Sequence, residues 1–170
     1  MRSTLLLIML WASFVCHAQS YKLFTTDEDL SSSLINHIYQ DSNGMIWVAT
    51  EDGLNRYDGA KFTTYKHNPE DAHSLSHNYV RRIFEDSKGH IYIGTHNGVQ
   101  VYNPATDTFS EKAILENDRP YNQSITDIIE RNNGEVWVAG YRTGKIEIDG
   151  DKLRLTYLSI HPTNYTSDYM

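Results

Sequence analysis

Seven of the eight histidines lie beyond residue 18: His37, His67, His73, His77, His90, His96 and His161. His73 and His77 stand four apart, a spacing that on a helix would turn two imidazoles toward one metal ion. Their surroundings, Asn68-Pro69-Glu70-Asp71-Ala72-His73-Ser74-Leu75-Ser76, read as a loop, and the sequence offers no third ligand, so metal binding is not expected. Carboxylates are plentiful, as in Asp27-Glu28-Asp29 and Glu85-Asp86, and two of them at the right separation could hydrolyse a glycoside. Asp41 and Asp86, however, recur at one place in a repeat, which marks turn caps, whereas a catalytic acid should be unique. No Ser-His-Asp or nucleophile-elbow spacing occurs. The sequence therefore predicts no catalytic residue and no cofactor.

The single cysteine, Cys16, sits in a segment that reads as an address. Arg2 supplies a positive start, Leu5 to Val15 an apolar run of 11 residues, and Cys16-His17-Ala18 a small-residue cleavage site before Gln19. A bilayer-crossing helix needs about 20 apolar residues, so residues 1–18 are expected to be a secretory signal peptide, not an anchor. Its removal takes the formal charge from −7 to −8 and leaves a chain without cysteine, held by packing alone. A mean hydropathy of −0.54 argues against a polytopic membrane protein. Acidity without a basic run argues against nucleic acid as a partner.

The elements that position these side chains follow from an internal repeat. Asp41-Ser42-Asn43-Gly44-Met45-Ile46-Trp47-Val48-Ala49-Thr50 matches Asp86-Ser87-Lys88-Gly89-His90-Ile91-Tyr92-Ile93-Gly94-Thr95, then Arg131-Asn132-Asn133-Gly134-Glu135-Val136-Trp137-Val138-Ala139-Gly140. Gly44, Gly89 and Gly134, like Trp47, Tyr92 and Trp137, recur at steps of 45 residues. Short alternating runs between Gly-bearing turns predict four β-strands per copy. The fold class is therefore all-β: a partial propeller of about three four-stranded antiparallel blades. The repeated aromatics belong in the gaps between blades. The expected layout is an N-terminal strand within 19–29, a candidate to close the ring, then blades over 30–66, 67–112 and 113–160. The start of a truncated fourth blade is expected at 161–170. A chain ending in apolar blade faces is expected to be unstable or to associate.

Binding residues are better sought where the copies differ. The turns joining strands two and three hold Glu51 and Asp52, His96 and Asn97, and Tyr141 and Arg142. A stacking ring beside a guanidinium makes Tyr141 and Arg142 the most sugar-like pair, the alternative being an ordinary solvated loop.

The pattern resembles the two-component regulator propeller repeat. Its marks are Leu30-Ser31, Ile38-Tyr39-Gln40-Asp41-Ser42-Asn43-Gly44, Ile46-Trp47-Val48-Ala49-Thr50 and Asp52-Gly53-Leu54-Asn55-Arg56-Tyr57-Asp58-Gly59. The second copy keeps Leu75-Ser76, Asp86, Gly89, Thr95, Gly98 and Tyr102, while the third has Arg131, Gly140 and Ile148 instead of Asp, Thr and Tyr. The resemblance implies the periplasmic sensor region of a hybrid histidine kinase, anchored in the inner membrane and dimeric in its full-length form. The implied partners are an oligosaccharide or other small periplasmic ligand and the rest of the same propeller. An exported polysaccharide-active enzyme and a protein-interaction scaffold are the alternatives.

Overall fold

The computed structural model describes residues 22–27, 29–115, 118–150 and 152–158. The expected signal peptide (1–18), the expected fourth-blade start (161–170) and His161 lie outside these. Among the described residues there are thirteen strands and no helix.

β1 (Ile35–Gln40), β2 (Ile46–Thr50), β3 (Gly53–Tyr57) and β4 (Phe62–Tyr65) make the first antiparallel sheet, in sequence order. β5 (Val80–Glu85), β6 (Ile91–Thr95), β7 (Gly98–Asn103) and β8 (Thr108–Phe109) make the second. In the third, β10 (Ile125–Glu130), β11 (Val136–Gly140), β12 (Gly144–Asp149) and β13 (Lys152–Tyr157) are followed at the outer edge by β9 (Ile114–Leu115). β9 runs parallel to β13, so this sheet has one strand more than the repeat predicts. A turn with Asp118 at φ 59° folds Arg119 N-terminally back onto Leu115, and Arg154 of β13 holds Asp118 at 3.2 Å.

The register of first strand against second repeats in all three sheets. Ile38 faces Val48, Ile83 faces Ile93 and Ile128 faces Val138, and each first strand carries a bulge at Asn36, Arg81 or Thr126. The hairpin turns explain the conserved step: Gly44, Gly89 and Gly134 all sit at φ 79–83°, a left-handed conformation that a side chain disfavours.

Each sheet alone would leave an apolar face wet, so the sheets stack. Trp47, Ala49 and Leu54 pack on Val80, Ile83, Ile93 and Tyr102 of the second sheet. Tyr92 and Val99 pack on Ile125, Ile128, Val138 and Leu155 of the third. Trp47 and Tyr92 are buried as expected from the repeat, whereas Trp137 is only half-buried, for no described sheet lies beyond it. Gly94 marks the tightest approach, since a Cβ there would lie 2.6 Å from Ile125 Cγ2.

Residues 22–26, expected as an outer strand, pair with no strand among those described. The segment lies on the face of the first sheet, with the Phe24 ring 5.1 Å from Tyr57 and 5.0 Å from Phe62. Tyr65 meets the corresponding rings of the second sheet, Tyr102 and Phe109, at 6.2 and 5.3 Å. Phe24 thus stands where a preceding blade would place an outer-strand aromatic.

Candidate functional site

The turns between second and third strands, together with the segments leading into each first strand, form one end of the stack, here the upper end. Backbone bonds tie them together: Gly53 N–H donates to Asn78 O at 2.7 Å and Gly98 N–H to Gln123 O at 2.9 Å. Each upper turn thereby rests on the lead-in of the next sheet.

This arrangement brings four of the six expected binding residues into one corner, around Ser76–Tyr79. Asp52 accepts hydrogen bonds from Lys66 Nζ at 2.6 Å and Asn78 Nδ2 at 3.0 Å. Asn97 donates from its amide to Ser76 O at 3.3 Å. Both staple the corner together. Glu51 and His96 stay exposed and meet at Tyr79, whose hydroxyl donates to Glu51 Oε1 at 3.1 Å and whose ring lies edge-on to His96 at 5.5 Å. His77 adds a third ring, 5.6 Å from His96, and the Arg81 guanidinium lies over Tyr79 at 5.7 Å. Desolvation lowers the His77 pKa below its ordinary value, and His96 and His67 lower it further. The neutral ring suits its contact, because Nδ1 accepts the Tyr79 N–H at 2.9 Å.

Tyr79 and His77 did not stand out as binding residues in the sequence. The rule of seeking disagreement between copies would have found them: their positions hold Leu34, Tyr79 and Ser124, and Ser32, His77 and Asn122.

Tyr141 and Arg142 lie in a separate corner, on the third sheet. Tyr141 is 84% exposed, and Arg142 lies over the Tyr157 ring at 5.1 Å. Below them the third copy breaks a network that the first two share. In the first, Ser31 N–H donates to Asn55 Oδ1 at 3.0 Å while its hydroxyl meets Thr50 Oγ1 at 3.0 Å. In the second, Ser76 N–H donates to Gln100 Oε1 at 2.7 Å and its hydroxyl meets Thr95 Oγ1 at 2.8 Å. The third copy has Tyr121, Gly140 and, past a turn one residue longer, Ile146 at these places. The bulk of Tyr121 takes the room that Gly140 leaves, its hydroxyl 3.3 Å from where a Gly140 Cβ would be.

The lower end is structural. Asp41 accepts the N–H groups of Asn43 and Met45 through one oxygen and Trp47 Nε1, at 2.7 Å, through the other. Asp86 does the same for Lys88, His90 and the Tyr92 hydroxyl. Burial opposes the Asp86 charge, yet His90 and the backbone N–H groups hold its carboxyl below the usual range. At the third copy Arg131 cannot accept; Trp137 Nε1 turns to Glu135 Oε2 at 3.3 Å, with Arg131 5.8 Å from the ring. Between the first two sheets, Asp107 accepts from Arg56 at 2.9 Å, Tyr65 at 2.6 Å and Tyr102 at 2.7 Å.

A groove of about 860 Å³ opens between the second and third sheets, lined in part by His90, Tyr102, Phe109, Ile148 and Leu153. It exists because β8 is two residues long and leaves the outer flank uncovered. None of the six expected binding residues lines it. Among the described residues no three His, Cys, Asp or Glu side chains gather as metal ligands.

The two component regulator propeller family matches this chain at residues 29–52 and 74–97, each match running from a lead-in through the second strand. The third sheet, with its altered turn, is not matched. Histidine kinase P4 of Formosa agariphila is 48% identical over 56 residues, which is 33% of this chain and 4% of that protein. The extracellular domain assigned to the hybrid two component system BT3049 of B. thetaiotaomicron superposes with a TM-score of 0.66 at 27% identity, covering 78% of this chain and 19% of that one. Virginiamycin B lyase of Staphylococcus aureus shares the fold, at a TM-score of 0.55 and 21% identity, covering 81% of this chain and 44% of the lyase. This chain thus spans a small part of the sensor proteins it resembles. The family match falls on the first two copies, and the likeness to the extracellular sensor domain shows one propeller fold across most of the chain.

Proposed function

We propose that the chain forms part of the extracytoplasmic, ligand-sensing propeller of a transmembrane two-component sensor, and that its ligand is an oligosaccharide. The observation that carries this reading is the family repeat, joined to an upper end where variable turns gather aromatic and charged side chains. Repeated positions are committed to turns and packing. The variable ones, Glu51, Tyr79 and His96 in one corner and Tyr141 and Arg142 in the next, are free to meet a solute. Aromatic rings beside polar hydrogen-bonding groups suit a sugar, whose faces are apolar and whose rim is hydroxylated. The leader expected at residues 1–18 supports export.

The test is a thermal-shift screen of the purified chain against pooled oligosaccharides. Binding to the folded form raises Tm in a concentration-dependent way. A Tm that rises with one pool, and no longer does so in a Tyr79→Ala, Tyr141→Ala double variant, supports the reading. No shift with any pool overturns it.

A further inference from the structure

We propose that the upper corner of the third sheet is a subsite for a saccharide bearing an anionic group, a carboxylate or a sulfate ester. This rests on the oligosaccharide-sensor reading and narrows it to a class of ligand.

The two upper corners share a plan but differ in charge. In each, a guanidinium lies over a tyrosine: Arg81 over Tyr79 and Arg142 over Tyr157. The first corner carries its own carboxylate, because Glu51 accepts the Tyr79 hydroxyl at 3.1 Å. At the equivalent turn of the third sheet stands Tyr141, and among the described residues no carboxylate pairs with Arg142. Arg56, Arg82 and Arg154, by contrast, each pair with an aspartate at 2.8–2.9 Å. In a chain of net charge −7, a guanidinium with no carboxylate partner among the described residues is uncommon. A guanidinium fork also matches the planar carboxylate and the sulfate oxygens.

A second, independent observation marks the same corner. The first two sheets satisfy the polar groups beneath their upper turns with the Ser–Thr–Asn or Ser–Thr–Gln network. The third does not: the Tyr121 hydroxyl, on a residue 1% exposed, and the Ser124 hydroxyl are buried without a hydrogen-bond partner. Buried polar groups are rarely left so, and each calls for a partner such as an ordered water or a ligand group. Both residues adjoin Gly140, for a Cβ built there would lie 3.3 Å from the Tyr121 hydroxyl and 2.3 Å from the Ser124 backbone carbonyl oxygen. Gly140 is the residue directly before Tyr141. Burial, and the neighbouring Tyr157, push the Tyr121 hydroxyl up to about 12, so it stays protonated and able to donate. The turn above is one residue longer than its counterparts, with Tyr141-Arg142-Thr143 before Gly144 against Glu51-Asp52 before Gly53. The exposed Tyr141 ring offers a stacking face and Arg142 an anion contact.

The experiment is calorimetric titration of the full chain with three probes of equal length: an oligogalacturonate, a sulfated galactan oligosaccharide and a neutral galactan oligosaccharide. At least one acidic probe should bind more tightly than the neutral one, and which acidic probe prevails separates carboxylate from sulfate. Arg142→Gln should weaken the acidic probe about tenfold or more and leave neutral binding unchanged. Tyr141→Ala should weaken both. Neither side chain is buried, so both variants should keep the parent Tm, which is measured alongside. Neutral binding as tight as acidic, or an Arg142→Gln variant that binds the acidic probe undiminished, overturns the inference while leaving a saccharide sensor standing. Failure of all three probes, together with silence in the pooled screen, overturns both.

Discussion

At the scale of single residues, the pairing of Asp41 with Trp47 explains why two unlike side chains recur together. The aspartate organises its turn with one oxygen and anchors the indole N–H, buried at 0% exposure, with the other. Trp47→Ala should cost about 3–5 kcal/mol by chemical denaturation, and Trp137→Ala, half-buried and held by a longer bond to Glu135, clearly less. Acid should act at the other end. His77 has its pKa lowered by burial and by neighbouring imidazoles, so the folded chain binds fewer protons there than the unfolded one. Stability should therefore decline as pH falls below the ordinary histidine range, near 6.5, toward the lowered folded value. NMR titration checks the sign: the His77 shift should move at a lower pH than that of an unfolded peptide. These repeated positions were legible because a step of 45 residues exposes them. The Tyr79 cluster was legible only in part: Glu51 and His96 show as variable turn positions, but that they meet Tyr79 and His77 of a lead-in is a contact between sheets that linear spacing does not report.

At the scale of elements, the stack is fastened by small devices that repeat. Ser42 donates from its N–H and hydroxyl to Glu85 at 2.7 and 2.5 Å, and Ser87 does the same to Glu130 at 2.8 and 2.6 Å. Each clamp ties a hairpin turn to the foot of the next first strand. Glu85→Ala and Glu130→Ala should each cost about 0.5–1.5 kcal/mol and add in the double variant, the two clamps sharing no partner. Gly94→Val should cost more, about 1–3 kcal/mol or beyond, because the new side chain must enter space held by Ile125. Strand number and order within the repeat could be read from alternation and turn residues. The two-residue β8 and the parallel β9 could not, for strands that short carry no period and depend on a partner from elsewhere in the sheet.

At the scale of the whole molecule, the two ends of the stack expose what its middle hides. Ile83 and Ile128, each 1% exposed, occupy equivalent positions in the second and third sheets, while Ile38 in the first is 59% exposed. Ile35, Ile129 and Ile148 are open as well. A row of aliphatic side chains facing water should draw copies of the chain together. Sedimentation should show mass rising with concentration. Ile38→Lys should suppress that rise without unfolding the chain, whereas Ile83→Lys should unfold it; a concentration-independent monomer would refute the expectation.

The bulge near the start of each first strand has a mechanical consequence. The side chain just after it reaches the next sheet from positions 37 and 82. His37 Nδ1 meets the Ile83 N–H at 3.3 Å, and Arg82 meets Asp127 at 2.8 Å. The first sheet is thereby tied to the second, and the second to the third, by the residue that follows the bulge. Displacing one sheet against the next must therefore break a side-chain bond at this rim as well as the packing in the gap.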